Sequence, residues 1–147
     1  GLLGACDVVI NVQGDAVGVQ PALILAALDA LLEDGEAGLG TVAIAVPGEA
    51  GGRTTVAVAA GRALDFDRAP LEPGEGRGGR LLHVGIYAYR VPSLLAASLR
   101  APGPKERARS LEQLRWLEAG EPVAIRVVQG HAAWAHAVDT EEDLRRD

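Results

Sequence analysis

The chain has 147 residues, with 14 basic and 20 acidic side chains and a net charge of −6. That length fits one domain. An acidic balance argues against nucleic acid as the main partner, because phosphate binding needs a basic surface. Hydrophobic residues make up 48% and aromatics only 3%, so any core is built from small and branched aliphatics. The single cysteine, Cys6, excludes an intrachain disulfide framework and a multi-cysteine metal site; it reads as a small buried hydrophobe beside a strand. No apolar run is long enough to span a bilayer, and no basic segment precedes an apolar one. The expectation is a cytoplasmic protein without a membrane partner.

The chain opens on VVINVQGD, Val8 to Asp15, in which β-branched residues lead to Gly14 and a carboxylate. This predicts a buried parallel strand over Val8 to Val12 that delivers Asp15 to the ligand edge of an α/β sheet. Only seven residues precede it and there is no starting Met, which suggests a chain that has lost its front. Pro21 starts a helix, where its missing N–H is harmless. Ile24, Ala27, Leu28 and Leu31 form its apolar stripe, and Gly35, Gly38 and Gly40 end it. Thr41 to Val46 and Thr54 to Ala59 are short β-type runs. Asp65 to Pro73 reads as irregular, and Glu72 to Arg80 as a flexible loop.

Leu81 to Arg90 is the next strand, broken by Val91-Pro92-Ser93 before a short helix ending near Arg100. After a turn at Pro102 to Pro104, Lys105 to Ala119 has helical periodicity, with Ala108, Leu111, Leu114 and Leu117 on one side. Pro122 to Val128 is another strand. Thr140 opens the last helix, with Asp143 as its capping-box partner. Strands alternating with helices predict an α/β fold with a mixed, mainly parallel sheet.

Asn11, Gln13 and Asp15 alternate along the first strand, so all three can face one side. A buried strand rarely carries that many polar groups unless they bind something or each other. Asp139 precedes a helix start and by itself reads as a first-turn acid; paired with Asp15 at one sheet edge it would suit Mg²⁺, which takes one or two carboxylates plus water and phosphates. Glu112 and Gln113 sit on the polar side of the long helix, one turn after Arg109, where a solvated face is the ordinary reading. His83 and Tyr87 share a strand face, either as a structural pair or as contacts to a hydroxylated ligand. His131 and His136 flank Trp134 in a loop and give only a weak metal signal. Gly74, Gly76 and Gly79 match G-x-G-x-x-G but lead into a strand, so a dinucleotide site is rejected.

Together, VVINVQGD, FDRAP (Phe66 to Pro70), HVGIYAYR (His83 to Arg90), SLEQLRWLEAGE (Ser110 to Glu121) and VDTEEDL (Val138 to Leu144) resemble the 3-deoxy-manno-octulosonate cytidylyltransferases, or CMP-Kdo synthetases. The resemblance implies a nucleotidyltransferase, glycosyltransferase-A-like sheet with helices on both faces, incomplete at the N-terminus. Residues 1–147 would then be a partial cytidylyltransferase domain holding the sugar-acid and metal-binding part. It implies transfer of CMP from CTP to Kdo, giving CMP-Kdo and pyrophosphate for lipopolysaccharide biosynthesis, with Mg²⁺ and a homodimer. Asp15 and Asp139 map onto the catalytic, metal-binding aspartates. Gln13, Arg68, His83, Tyr87, Glu112 and Gln113 map onto the sugar-contacting positions.

The chain departs from the family pattern at Ala16 and Val17, at Asp67 where serine is usual, and at Arg109 where glutamate is usual. Asp67 adds a negative charge beside an anionic substrate. The lysine expected near Thr54 is absent, with Arg53 adjacent. The glycine- and arginine-containing loop that holds the CTP triphosphate in the family has no counterpart, so these residues alone are not expected to turn over CTP. Two other readings stay open: a cytidylyltransferase for another sugar acid such as a sialic acid, and a diverged non-catalytic sugar-acid-binding or dimerisation module.

Overall fold

A computed structural model describes residues 7–16, 18–45, 53–68 and 80–135. In chain order these give β1 (Val8–Val12), α1 (Pro21–Glu33), β2 (Leu39–Ala45), β3 (Thr55–Ala59) and β4 (Arg62–Asp67). Then follow β5 (Leu81–Arg90), α2 (Val91–Ser98), α3 (Pro104–Arg109), α4 (Leu114–Glu118), β6 (Val123–Gln129) and a 3₁₀ turn, Ala132–Ala135. The segments around Cys6, Gly74–Gly79, His136, Asp139, Thr140 and Asp143 lie outside the described residues.

The strands form one mixed sheet in the order β1-β5-β2-β6-β4-β3. It is not mainly parallel: among the described residues only β2 and β6 run parallel, and every other pairing is antiparallel. The reason lies in the connections. β3 and β4 are joined by a hairpin turn at Ala60-Gly61, both with positive φ (49° and 74°), a backbone that suits Gly61 and strains Ala60. Hairpins make antiparallel pairs, whereas parallel pairs need a crossover. β3 also pairs with the start of β5 through Thr55↔Leu82 and Val56↔Leu81, so β5, β2, β6, β4 and β3 close into a ring.

Helices cover both faces of the sheet. α1 packs Leu23, Ala27 and Leu31 against Val42, Ile44, Val84 and Ile86. The centre of its buried stripe is Leu23, Ala27, Ala30 and Leu31, with Ile24 and Leu28 on the flank. Helix and sheet meet closely at Gly40, where a Cβ would come within 2.5 Å of Ala27 O and 2.8 Å of the Leu31 backbone N. The second core draws on all five strands of the ring, with Phe66 fully buried and Leu111, Leu114 and Trp116 packed on it.

Three other expectations change. β1 is not a buried parallel strand. It runs antiparallel to β5 at the edge of the described sheet, with Ile10 and Val12 each 39% exposed. Arg62–Asp67, whose second half read as irregular, is a regular strand with Ala63 and Phe66 buried. The single helix over Lys105 to Ala119 is two short ones, because Ser110 takes a left-handed conformation (φ 54°, ψ 48°) and closes α3. Ala108 is therefore exposed. The inward position on α3 falls to Glu106, whose charge is met by a two-pronged Arg115 guanidinium from α4.

Candidate functional site

The candidate residues converge on one face of β5. Alternation along that strand sends Val84, Ile86 and Ala88 to α1 and leaves His83, Gly85, Tyr87 and Tyr89 on the other face. Of the chain's five aromatic residues, four lie in one row that also includes His83. Phe66 meets His83 edge-on at 5.0 Å, His83 meets Tyr87 at 5.6 Å, Tyr87 stacks on Tyr89 at 5.9 Å and Tyr89 meets Trp116 at 5.4 Å. This row is a rigid floor.

β1 lays its polar residues over that floor. The antiparallel register pairs Val12 with Ile86, so the next residue, Gln13, reaches Gly85. The Gln13 side chain sits about where a Gly85 Cβ would be in ordinary contact, 3.6 Å away, between His83 and Tyr87. The Asn11 side chain hydrogen-bonds Tyr89. Asp15 is half-buried in the turn after β1, and its charge is felt at the Tyr87 hydroxyl, as are those of Glu112 and Arg68. The Asp15 carboxylate makes no hydrogen bond or ion pair with another described residue.

Arg68 follows the end of β4. Its guanidinium donates from Nε to Arg109 O (3.2 Å) and from Nη2 to Ser110 O (3.4 Å). Among the described residues it has no carboxylate partner, so its charge is available to a ligand. Glu112 and Gln113 lie not on a helix face, as expected, but in the link between α3 and α4, just past Ser110; Glu112 is exposed and Gln113 buried. Gln13, Asp15, Arg68, His83, Tyr87 and the Glu112-Gln113 link are thus brought to one place. Asp139 lies outside the described residues, so its distance from Asp15 is not defined.

Burial governs the titrating groups. His83 is pushed down to about 3 by desolvation, and the Tyr87 hydroxyl is pushed up by the same cause. Tyr89 rises to about 12, mainly by burial. Thr41, buried in the middle of β2, fixes the form of His83. Its Oγ1 lies 2.7 Å from Ile86 O and 2.9 Å from His83 Nε2. The hydroxyl has one proton, which goes to the carbonyl, so the network assigns the ring proton to His83 Nε2 and leaves Nδ1 as an acceptor. Thr41 was not singled out from the sequence, because a threonine in a strand is ordinary.

A cleft of ≈ 540 Å³ lies between β1 and the α2–α4 corner and is lined by Asn11, Tyr89, Leu94, Glu112, Arg115 and Trp116, which makes it continuous with the site. Another, ≈ 570 Å³, lies apart from these residues, beside α1 and the β3–β4 turn. Both of its arginines are engaged, Arg62 with Asp34 and Glu36, and Arg126 with Glu33. No group of His, Cys, Asp or Glu able to hold a metal occurs among the described residues alone. His131 Nδ1 accepts from the backbone N–H of Ala133, which accounts for it within its own turn.

No protein-family model matches the chain. Curated relatives do. The 3-deoxy-manno-octulosonate cytidylyltransferase of Azorhizobium caulinodans is 42% identical over 97% of this chain and 58% of its own length. Those of Methylibium petroleiphilum (39%, 95% of this chain) and Brucella anthropi (38%, 97% of this chain) match over 59% of their lengths. The chain therefore spans rather more than half of these relatives. A solved structure of CMP:2-keto-3-deoxy-manno-octonic acid synthetase complexed with CTP superposes with a TM-score of 0.80 at 29% identity, over 99% of this chain and 64% of that one.

Proposed function

We propose, from the premise that this chain belongs to the 3-deoxy-manno-octulosonate cytidylyltransferase family over the 58–59% of those enzymes' length that it spans, that it carries the sugar-acid and metal-binding part of a site transferring CMP from CTP to Kdo. The observation that carries this reading is the convergence of a cation available to a ligand, Arg68, with Gln13, Tyr87 and Glu112 over an aromatic floor. A sugar acid has the matching parts: one carboxylate, several hydroxyls and a ring with apolar faces.

In this reading Arg68 takes the ligand carboxylate by charge-assisted hydrogen bonds. Gln13 and Gln113 offer both donors and acceptors to hydroxyls, Glu112 accepts, and the Tyr87 hydroxyl stays protonated as a donor. His83 is neutral and contributes an acceptor at Nδ1. Holding the sugar in this way orients its anomeric hydroxyl for attack on the α-phosphate of CTP, with pyrophosphate leaving. A half-buried carboxylate with no partner among the described residues suits the oxygen ligands that Mg²⁺ prefers, so Asp15 with Asp139 would hold the ion. When bound, Mg²⁺ neutralises charge developing on the phosphates. A homodimer and a place in lipopolysaccharide biosynthesis belong to the same proposal.

Isothermal calorimetry with Kdo tests it. Binding by the chain that weakens on Arg68→Ala, with an added Mg²⁺-dependent component lost on Asp15→Asn, is the expected result. Equal or tighter binding of a sialic acid would move the reading to another sugar acid, and no binding of either would refute it.

A further inference from the structure

Asp67 and Arg109 meet in space although 42 positions separate them, and they meet beside Arg68. Arg109 ends α3 and turns its guanidinium onto β4. Nη1 donates to both oxygens of Asp65 (2.8 and 3.0 Å) and to Phe66 O (2.7 Å), while Nη2 lies 3.7 Å from Asp67 Oδ2. The same residue's main-chain carbonyl accepts from Arg68 Nε, and that of Ser110 from Arg68 Nη2. Ser110 can offer its carbonyl there because of its left-handed conformation.

Asp67 is turned away from a ligand in this arrangement. Its Oδ1 accepts the backbone N–H of Arg68 at 2.7 Å, and its Oδ2 faces Arg109. Asp65 is met by Arg80 (3.2 Å), Lys105 (3.5 Å) and Arg109 together. Arg80, Lys105 and Arg109 thus face the two carboxylates of Asp65 and Asp67. The extra negative charge at Asp67 is absorbed by the extra positive charge at Arg109.

We propose that Arg109 is a positioning residue: by gripping Asp65, Phe66 and Asp67 it locks the end of β4 to the end of α3, and so sets the Arg68 guanidinium against the Arg109 and Ser110 carbonyls for recognition of the ligand's carboxylate. The inference rests on the sugar-acid reading for its ligand, and on the structure alone for the clamp.

The test compares the chain with Arg109→Gln and Arg109→Lys. Calorimetry gives affinities for Kdo and for its methyl ester, which lacks the negative charge. NMR follows the Arg68 Nε–H signal without ligand. Arg109→Gln is expected to lower Kdo affinity by about 10-fold or more, a loss typical of a charged hydrogen bond, and to leave the ester within about 2-fold. The Arg68 signal should broaden. Arg109→Lys, with one point charge in place of a fork, should rescue only part of the acid preference. Acid and ester weakening equally would overturn the proposal, because a general structural role would do that. An unchanged Arg68 signal in Arg109→Gln would also overturn it, whatever the ligand. If the wild-type chain binds no Kdo while the Arg68 signal broadens as expected, the sugar-acid reading fails and the clamp stands.

Discussion

His83 offers the sharpest link between burial and a measurable number. It is 5% exposed, packed edge-on by Phe66 and bonded only through Nε2 to Thr41 among the contacts described, with no carboxylate beside it. Desolvation lowers its folded-state value to about 3, whereas an unfolded histidine titrates near the ordinary 6.5. A base whose folded value is depressed stabilises the fold above its unfolded value and loses that contribution as pH falls. Between those limits the unfolded state alone takes up the proton, and stability falls by about 1.4 kcal/mol per pH unit. From pH 7 to pH 5 the loss is about 2 kcal/mol. The perturbation is His83→Asn, which removes the titration and keeps an amide donor for Thr41. Urea unfolding, followed by tryptophan fluorescence from pH 7.5 to 5, gives both stabilities. The variant is less stable at pH 7, and the gap to wild type should narrow by about 2 kcal/mol at pH 5. Parallel pH profiles would refute the reasoning, because His83 would then be taking up its proton in the folded protein as readily as in the unfolded one.

Other outcomes follow from the same geometry. Tyr89, raised to about 12, contributes stability that is present below the unfolded phenol value of 10.0 and lost as pH rises towards 12; ultraviolet titration should show phenolate appearing later in the folded than in the urea-unfolded chain. Arg68→Ala should weaken Kdo binding by about 10- to 100-fold with little change in melting temperature, since its hydrogen bonds are to exposed carbonyls. Gly40→Ala should cost about 1–3 kcal/mol in urea unfolding, because its Cβ would press on the α1 backbone. Asp15→Asn should abolish any Mg²⁺ dependence of ligand binding while leaving the fold intact, checked by circular dichroism.

Much of the architecture was legible where a local rule decides it. Leu81 to Arg90 reads as a strand with His83 and Tyr87 on one face, and the structure places it so. Pro21 and an apolar stripe define α1, although Leu23 rather than Ile24 sits at the centre of the buried face. What failed depended on one special backbone or on a partner distant in sequence. Ser110 breaks a helical pattern that continues undisturbed in the residue types, and nothing in a serine announces a left-handed turn. The Ala60-Gly61 hairpin hides because alanine is an unusual turn residue. Strand direction was misjudged because a run such as VVINV is equally at home in a parallel or an antiparallel ladder. In the site, Asp67 and Arg109 each stood out singly, and only the fold shows that one answers the other.

The edge position of β1 has a consequence for the molecule in solution. Its far side presents a ladder of N–H and C=O groups that no described strand takes up, next to Ile10 and Val12. Such a border is a template for any extended chain that meets it. Here it has neither lysine nor proline to discourage pairing, for Val8 to Val12 holds only valine, isoleucine and asparagine. Pairing along this border is therefore open to an extended segment outside the described residues or to a second copy, and it would fall on the same strand that lays Gln13 over the aromatic floor.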